Sequence, residues 1–281
     1  MNELQLTPRA FRARLLFIVG LSVAVSGAVL LVPRFAQPTW YHDFADRRCL
    51  LGVPHLLNVV SNLPFVVVGL LGVLFTMSQA ARRPGGSFRE PSERWPYALL
   101  FGAIALTGIG SAYYHSDPNN ARLLWDRLPL AIAFMTFFAI TIGERIHPRA
   151  GAGLLLPLVL LGGGSVVYWH LSEIHGAGDL RFYLVVQLYP LLAIPLLMLL
   201  FPPRYTRSAD LVAALLCYLL AKALELLDTQ VYAQGGIVSG HTLKHLMAGL
   251  SGWWLLYMVM KRRPILEPAA ADATPRPTPA A

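Results

Sequence analysis

Residues 56–77 read LLNVVSNLPFVVVGLLGVLFTM. After a polar opening of Asn58, Ser61 and Asn62, the stretch carries no ionisable side chain and is almost wholly apolar. A helix of this length covers roughly 30 Å, the thickness of the hydrocarbon core of a bilayer. Seven more apolar runs occur, at 11–32, 97–115, 128–142, 153–169, 180–201, 211–227 and 241–260. The runs at 128–142 and 153–169 are the short ones. A chain crossing lipid must satisfy its backbone hydrogen bonds within each segment or within a closed barrel. Apolar runs this long, without two-residue alternation, predict an all-α polytopic transmembrane helix bundle.

Composition agrees. The 281 residues are 56% hydrophobic and 14% charged, more apolar and less charged than an ordinary soluble domain. The net charge of +8 is not a nucleic-acid footprint, because the basic residues sit in short loops, where they orient helices. With the N-terminus placed in the cytoplasm, fifteen of the 23 Lys and Arg fall in inside stretches. Six (Arg34, Arg47, Arg48, Arg122, Arg127 and Arg181) fall outside, and Lys222 and Lys244 lie within runs. This asymmetry predicts both ends inside and an even number of helices. The run at 11–32 has the position and basic flank of a signal peptide. It leads into Val32-Pro33-Arg34-Phe35 with no A-x-A-like cleavage site, so it is expected to stay as a helix. Cys49 lies in a loop and Cys217 midway along a run, at different depths, which argues against a disulfide. The Pro/Ala-rich tail, 264–281, has no apolar face and is expected to be disordered.

This topology places His115 at the outer end of the third run and His241 and His245 in the first outer turns of the eighth. Asp126 is expected just before the outer start of the fourth. Ser111 stands four residues before His115, and His241 and His245 have the same spacing, so each pair shares a helical face. Ionisable groups at membrane depth are costly and mark functional sites. Three imidazoles with an open fourth position are how proteins hold catalytic zinc, which lowers the pKa of a bound water to about 7. Asp126 then has the place of a general base and acid, and Ser111 that of a donor to the water or an oxyanion. Each residue also has a plainer reading. An HxxxH pair alone is a weak signal, Ser111 suits helix packing, and Asp126 suits an ion pair with Arg127 or Arg122.

Other polar residues are less decisive. Asn58, Ser61 and Asn62 are expected to cap their helix or bond a neighbour. Glu173, Asp179, Arg181, Gln187, Glu225 and Asp228 fall on the outer side, where any one can orient a ligand histidine. His170 and His175 lie in an outer loop, and His42, His55 and His147 are expected in loops or at the interface.

GSAYYH (110–115), WDRLP (125–129) and SGHTLKHLMAGL (239–250), in that order and spacing, resemble the alkaline ceramidase family of seven-helix membrane amidases. NVVSNLPF (58–65) resembles that family's Asn-x-x-Ser-Asn stretch. The similarity runs from about Tyr41 to Met260 and is nearest to bacterial members. It implies zinc on His115, His241 and His245, with Ser111 and Asp126 beside it. It also implies hydrolysis of ceramide-like lipids, taken from the bilayer, to a sphingoid base and a fatty acid. The resemblance divides the chain into an N-terminal stretch with an extra helix (1–40), a seven-helix core (41–263) and the tail (264–281). An inner-membrane location with the site toward the outer face follows. Eukaryotic members carry an acidic calcium cluster before the first core helix. Here Asp43 and Asp46 are present, but Pro54-His55 stands where a Glu is expected, which argues against calcium. The wider superfamily includes adiponectin-type receptors and haemolysin-III-like proteins. A hydrolase of another N-acyl lipid and a receptor-like protein with little turnover therefore stay open. A transporter would hold ionisable groups at mid-membrane and interrupted helices, unlike the clustering near one face here.

Overall fold

In the computed structural model, which describes residues 6–83 and 85–265, every one of the eight apolar runs is helical. Helix α1 (Pro8–Leu31) starts with a proline in its first turn and is capped by Thr7, whose hydroxyl accepts from Ala10 N at 3.3 Å. A two-residue hairpin follows, β1 (Cys49–Leu50) against β2 (Val53–Pro54). The stretch 56–77 forms α2 (Leu56–Val60) and α3 (Leu63–Met77), with a break at Ser61 and Asn62. Pro64 causes it. Proline has no N–H to offer Val60, and its ring crowds the carbonyl four residues back. The Asn62 amide supplies a local substitute, donating to Asn58 O at 2.7 Å.

A short α4 (Gln79–Arg82) is followed by the long helices α5 (Arg94–Ser116), α6 (Asn120–Arg145), α7 (Pro148–Ile174), α8 (Arg181–Leu200) and α9 (Ser208–Leu226). One further turn pair, α10 (Asp228–Gly235), leads into α11 (Gly240–Lys261). Six spans among the described residues are long and apolar enough to cross a membrane: α1, α2 with α3, α5 with its preceding turn, α6, α7 and α8. The 19-residue α9 and 22-residue α11 are of similar length and belong to the same bundle. Their apolarity is diluted by the polar residues that make them interesting. The chain is thus an all-α membrane helix bundle.

Helices α6 and α7 run several residues beyond the apolar stretches 128–142 and 153–169. Asn119 caps α6, its side chain accepting from Arg122 N at 3.0 Å. Asp126 therefore lies in the second turn of α6 and not ahead of it, a correction to the expectation from apolarity alone. The cap, not hydrophobicity, decides where the helix begins.

Helix α5 packs between α3 and α6, α6 carries α7 and α8, and α11 packs against α9 and α3. Helix α1 lies at the edge, on α8, and leaves most of its apolar surface exposed. Leu74, Leu156 and Leu216, each at least 60% exposed, point outward from three different helices. In water such a surface would aggregate; against lipid tails it is the favourable one. Helices α8 and α9 are consecutive yet barely touch.

The basic helix ends gather at one end of the bundle. Arg14 donates to Leu200 O, Arg145 Nη1 to Phe201 O at 3.2 Å, and Arg204 Nη1 to Gly143 O at 3.5 Å. Pro264 pairs with Tyr205, and Ile265 N donates to Arg204 O at 2.9 Å. These two residues continue the fold; the rest of the tail expected to be disordered, 266–281, lies outside the described residues. His115, His241 and His245 are at the opposite end.

Candidate metal centre

His115 comes from the last turn of α5, and His241 and His245 from the first turns of α11. Ser239 caps α11, its hydroxyl accepting from Thr242 N at 3.1 Å, which sets the start that puts both histidines on one face. Gly240 lets that start approach its neighbours. A Cβ there would stand 2.4 Å from Leu224 O and 2.7 Å from Asp228 Cα. Asp228 then fixes the position, Oδ1 accepting from His241 N at 2.7 Å and Oδ2 from Ala45 N at 2.9 Å. The second bond seats Phe44, whose ring lies 4.6 Å from the His115 ring and 4.5 Å from that of His241. The phenyl group walls the imidazoles off from water.

One ring nitrogen from each histidine lies within 4.8 Å of those of the other two, and all three side chains are buried. Nε2 of His115 and Nε2 of His241 are 3.3 Å apart. Two nitrogens each about 2.0–2.1 Å from one tetrahedral ion stand roughly 3.3 Å apart, so the pair already has the edge length of a metal tetrahedron. Nε2 of His245 is buried with no hydrogen-bond partner. Its other nitrogen, Nδ1, lies 2.8 Å from Ser61 Oγ, while that hydroxyl donates to Asn58 O at 3.1 Å. The hydroxyl hydrogen being committed, Nδ1 is the donor to Ser61, and the Nε2 lone pair is left facing inward. A buried lone pair without a donor is costly, and a metal ion relieves it. The donor set of three neutral imidazoles, without thiolate or carboxylate, suits a divalent ion of borderline softness. Among the described residues this is the one His/Cys/Asp/Glu group arranged to hold a metal.

Ser111 and Asp126 are brought together by a close crossing of α5 and α6. A Cβ on Gly110 would stand 2.0 Å from Trp125 O, so only glycine permits this approach. The Ser111 and Asp126 side chains line the same cavity wall. Asp126 pairs with neither nearby arginine: Arg122 meets Asp117 at 3.3 Å, and Arg127 Nη2 donates to Gln37 Oε1 at 2.6 Å. Both Ser111 and Asp126 open on a cavity of ≈ 150 Å³ that His245 also lines. From this polar end the cavity runs between walls of Leu100, Ile104, Phe137, Ile194, Leu211 and Leu255. It lies between α8 and α9, the consecutive helices that do not close on each other.

The other polar residues sort clearly. Ser61, grouped from sequence with the structural Asn58 and Asn62, holds a histidine. Asn58 Oδ1 accepts from Thr242 Oγ1 at 2.7 Å, tying α2 to α11. Asp228 is the one residue of the six outer candidates that bonds a cluster histidine, through its backbone; Gln187 lines the cavity. Glu173 instead accepts from Gln37 N and Trp169 Nε1, and Asp179 from Arg181. His42 meets Tyr114 and Asn120, and His55 meets Asp46 O. Asp43 is paired with Arg47, and Asp46 accepts from Arg48 Nε at 2.8 Å and Nη2 at 2.7 Å. The guanidinium holds the Asp46 carboxyl below the usual carboxylate range. A calcium ion would have to displace two guanidinium groups from these carboxylates. Phe44, Lys222 and Lys244 are site residues that sequence reading passed over. Only a three-dimensional neighbour distinguishes such side chains from loop or helix filler.

No family model matches this chain, and no curated protein matches it either.

Proposed function

We propose that this chain is an intramembrane zinc-dependent amidase that hydrolyses the N-acyl bond of ceramide-like lipids to an amine and a free fatty acid. The observation that carries the reading is a single juxtaposition. The cluster of three buried imidazoles reaches, through His245, the polar end of a cavity that Ser111 and Asp126 also line and whose far walls are apolar. A lipid amide matches that division, with its carbonyl at the polar end and its chain along the apolar walls. The gap between α8 and α9 offers the lipid a sideways route from the bilayer.

His115, His241 and His245 hold the ion. When bound, zinc supplies Lewis acidity toward a carbonyl oxygen and a water acidic enough to attack near neutral pH. Asp126 accepts the proton of the attacking water and returns it to the departing nitrogen. Ser111, on the same cavity wall as the carboxylate, offers a freely rotating hydroxyl that donates to the carbonyl oxygen as charge develops there. Phe44 and the apolar walls exclude bulk water, which strengthens every one of these interactions. The excess of Arg and Lys at the opposite end supports a topology with both chain ends in the cytoplasm and the site toward the outer face of a bacterial inner membrane.

The test is release of fatty acid from a panel of N-acyl lipids, short-chain ceramide among them, by purified zinc-loaded protein. Turnover that vanishes with the metal is expected; absence of turnover on every lipid tried sinks the amidase reading. For orientation, single cysteines at Glu90 and Ala177, in a Cys49→Ser background, should label from opposite sides. Labelling of the Glu90 position from outside reverses the topology.

A further inference from the structure

The cavity wall beside the histidines carries charges that hydrolysis itself leaves unused. Lys222 and Glu225 lie one turn apart on α9, and Lys244 reaches them from α11. Lys244 Nζ donates to Glu225 Oε1 at 2.6 Å, and Lys222 binds Oε2 of the same carboxylate. All three side chains line the cavity, and Lys244 Nζ stands 3.4 Å from Nε2 of His241.

One ammonium balances one carboxylate; two leave a surplus. Asp126 lines the same cavity, but neither lysine is ion-paired to it: the salt bridges of both go to Glu225. The trio therefore presents a net positive charge to a cavity whose other walls are largely apolar. Such a charge is costly without a partner. Two ammonium groups have six N–H donors between them. Glu225 takes two and His241 faces a third, which leaves three for a ligand. The place of the charge also indicates which part of a lipid it meets. The acyl chain fits the apolar walls, so the group beside His241 and Lys244 is the one attached to nitrogen.

We propose that Lys222 and Lys244 form an anion-binding subsite, and that the preferred lipid is an N-acyl amino-acid type carrying a carboxylate next to the scissile amide. Cleavage of this lipid rests on the amidase reading; the anion subsite does not.

N-Palmitoylglycine and N-palmitoylethanolamine make a matched pair of probes, with the same chain and amide but a carboxylate against a hydroxymethyl. Binding of each to the full-length, metal-free protein in detergent is measured by calorimetry, with hydrolysis by the zinc-loaded protein alongside. The unmutated protein should bind the acidic lipid at least roughly tenfold more tightly, as charge-assisted hydrogen bonds outweigh neutral ones. Lys222→Gln and Lys244→Gln should each reduce that preference and together remove it. Glu225→Gln, which frees both ammonium groups, should enlarge it, a gain that misfolding cannot imitate. Equal affinity for the two lipids, or a preference that survives in the double lysine variant, overturns the subsite. Selective binding of the acidic lipid without cleavage sinks the amidase reading and leaves the subsite standing. Cleavage of both lipids with equal binding does the reverse.

Discussion

At one end of α11 stand His241 and His245; at the other, about 30 Å along the axis, stands Arg262. Both ends bury ionisable groups in an apolar bundle, and they do so in opposite ways. Arg262 is completely enclosed, yet Nη1 donates to Glu144 at 2.6 Å and to Tyr97 OH at 2.7 Å, and Nε to Ser87 O at 2.9 Å. Its plane is surrounded by the rings of Tyr205, Tyr97 and Phe88, 4.0, 4.6 and 5.0 Å from the guanidinium carbon. Nη2 alone lacks a partner; the other two nitrogens meet acceptors, and cation meets anion. At the histidine end three groups of one kind face each other. None can neutralise another, and Nε2 of His245 has no partner at all. Burial with complementary partners locks helices together, whereas burial with identical partners leaves room for something the chain does not itself contain.

Exchanging the two roles breaks this comparison. The largest effect is expected from His241→Ala/His245→Ala. Zinc should fall from about one per chain to none by elemental analysis, with hydrolysis lost and the helix bundle retained by circular dichroism. Unchanged zinc would make the histidine end another structural lock. Next, Asp126→Asn should keep the metal while turnover falls about 10²–10⁴-fold, because an amide cannot accept and return a proton. Ser111→Ala should cost less than Asp126→Asn. Full activity in Asp126→Asn removes that residue from the chemistry.

Arg262→Met should do the reverse of the histidine change. Glu144 and Tyr97 lose a buried partner, so thermal stability in detergent should drop by about 3–5 kcal/mol while zinc stoichiometry stays the same. Loss of metal in this variant would show that the two ends are not independent. Ser61→Ala sharpens the contrast at the level of one hydrogen bond. Without an acceptor for Nδ1–H the His245 ring is free to turn, and zinc affinity should weaken roughly 10–100-fold in a chelator competition. The smallest effect concerns a paired carboxylate outside the spans. Arg181 holds the Asp179 carboxyl down to about 2 from its ordinary 3.8. A depressed carboxyl adds stability that is complete above its ordinary value and disappears as pH falls through about 2, at most about 2 kcal/mol. Asp179→Asn should flatten acid unfolding in that window; an unchanged acid profile removes Asp179 from the ledger.

The sequence and the structure divide these findings along a physical line. The eight apolar runs all became helical, seven as single long helices and 56–77 as α2 with α3, because in lipid a helix is the local solution for the backbone, needing no distant partner. The shared depth of His115, His241 and His245 was legible for the same reason, since helix order and direction alone set depth. What stayed hidden depends on rotation and close approach. The start of α6 was set by an Asn119 cap upstream of the apolar run, which moved Asp126 inside the helix. Gly110 and Gly240 looked like two of many glycines until a backbone neighbour stood where a Cβ would go. Ser61 reached His245 only because Pro64 breaks the helix beside it, and Phe44 covered two histidines only because Asp228 anchors its loop. Lys222 and Lys244 are 22 positions apart, on helices whose relative rotation no local pattern states. By itself, then, the sequence determined the fold class, the helix order and the depth of the ionisable groups, all of which follow from apolar length and charge counting. The tertiary structure alone decided which nitrogens face one another, which lone pair is left free and which charges share a cavity, because those depend on packing between helices.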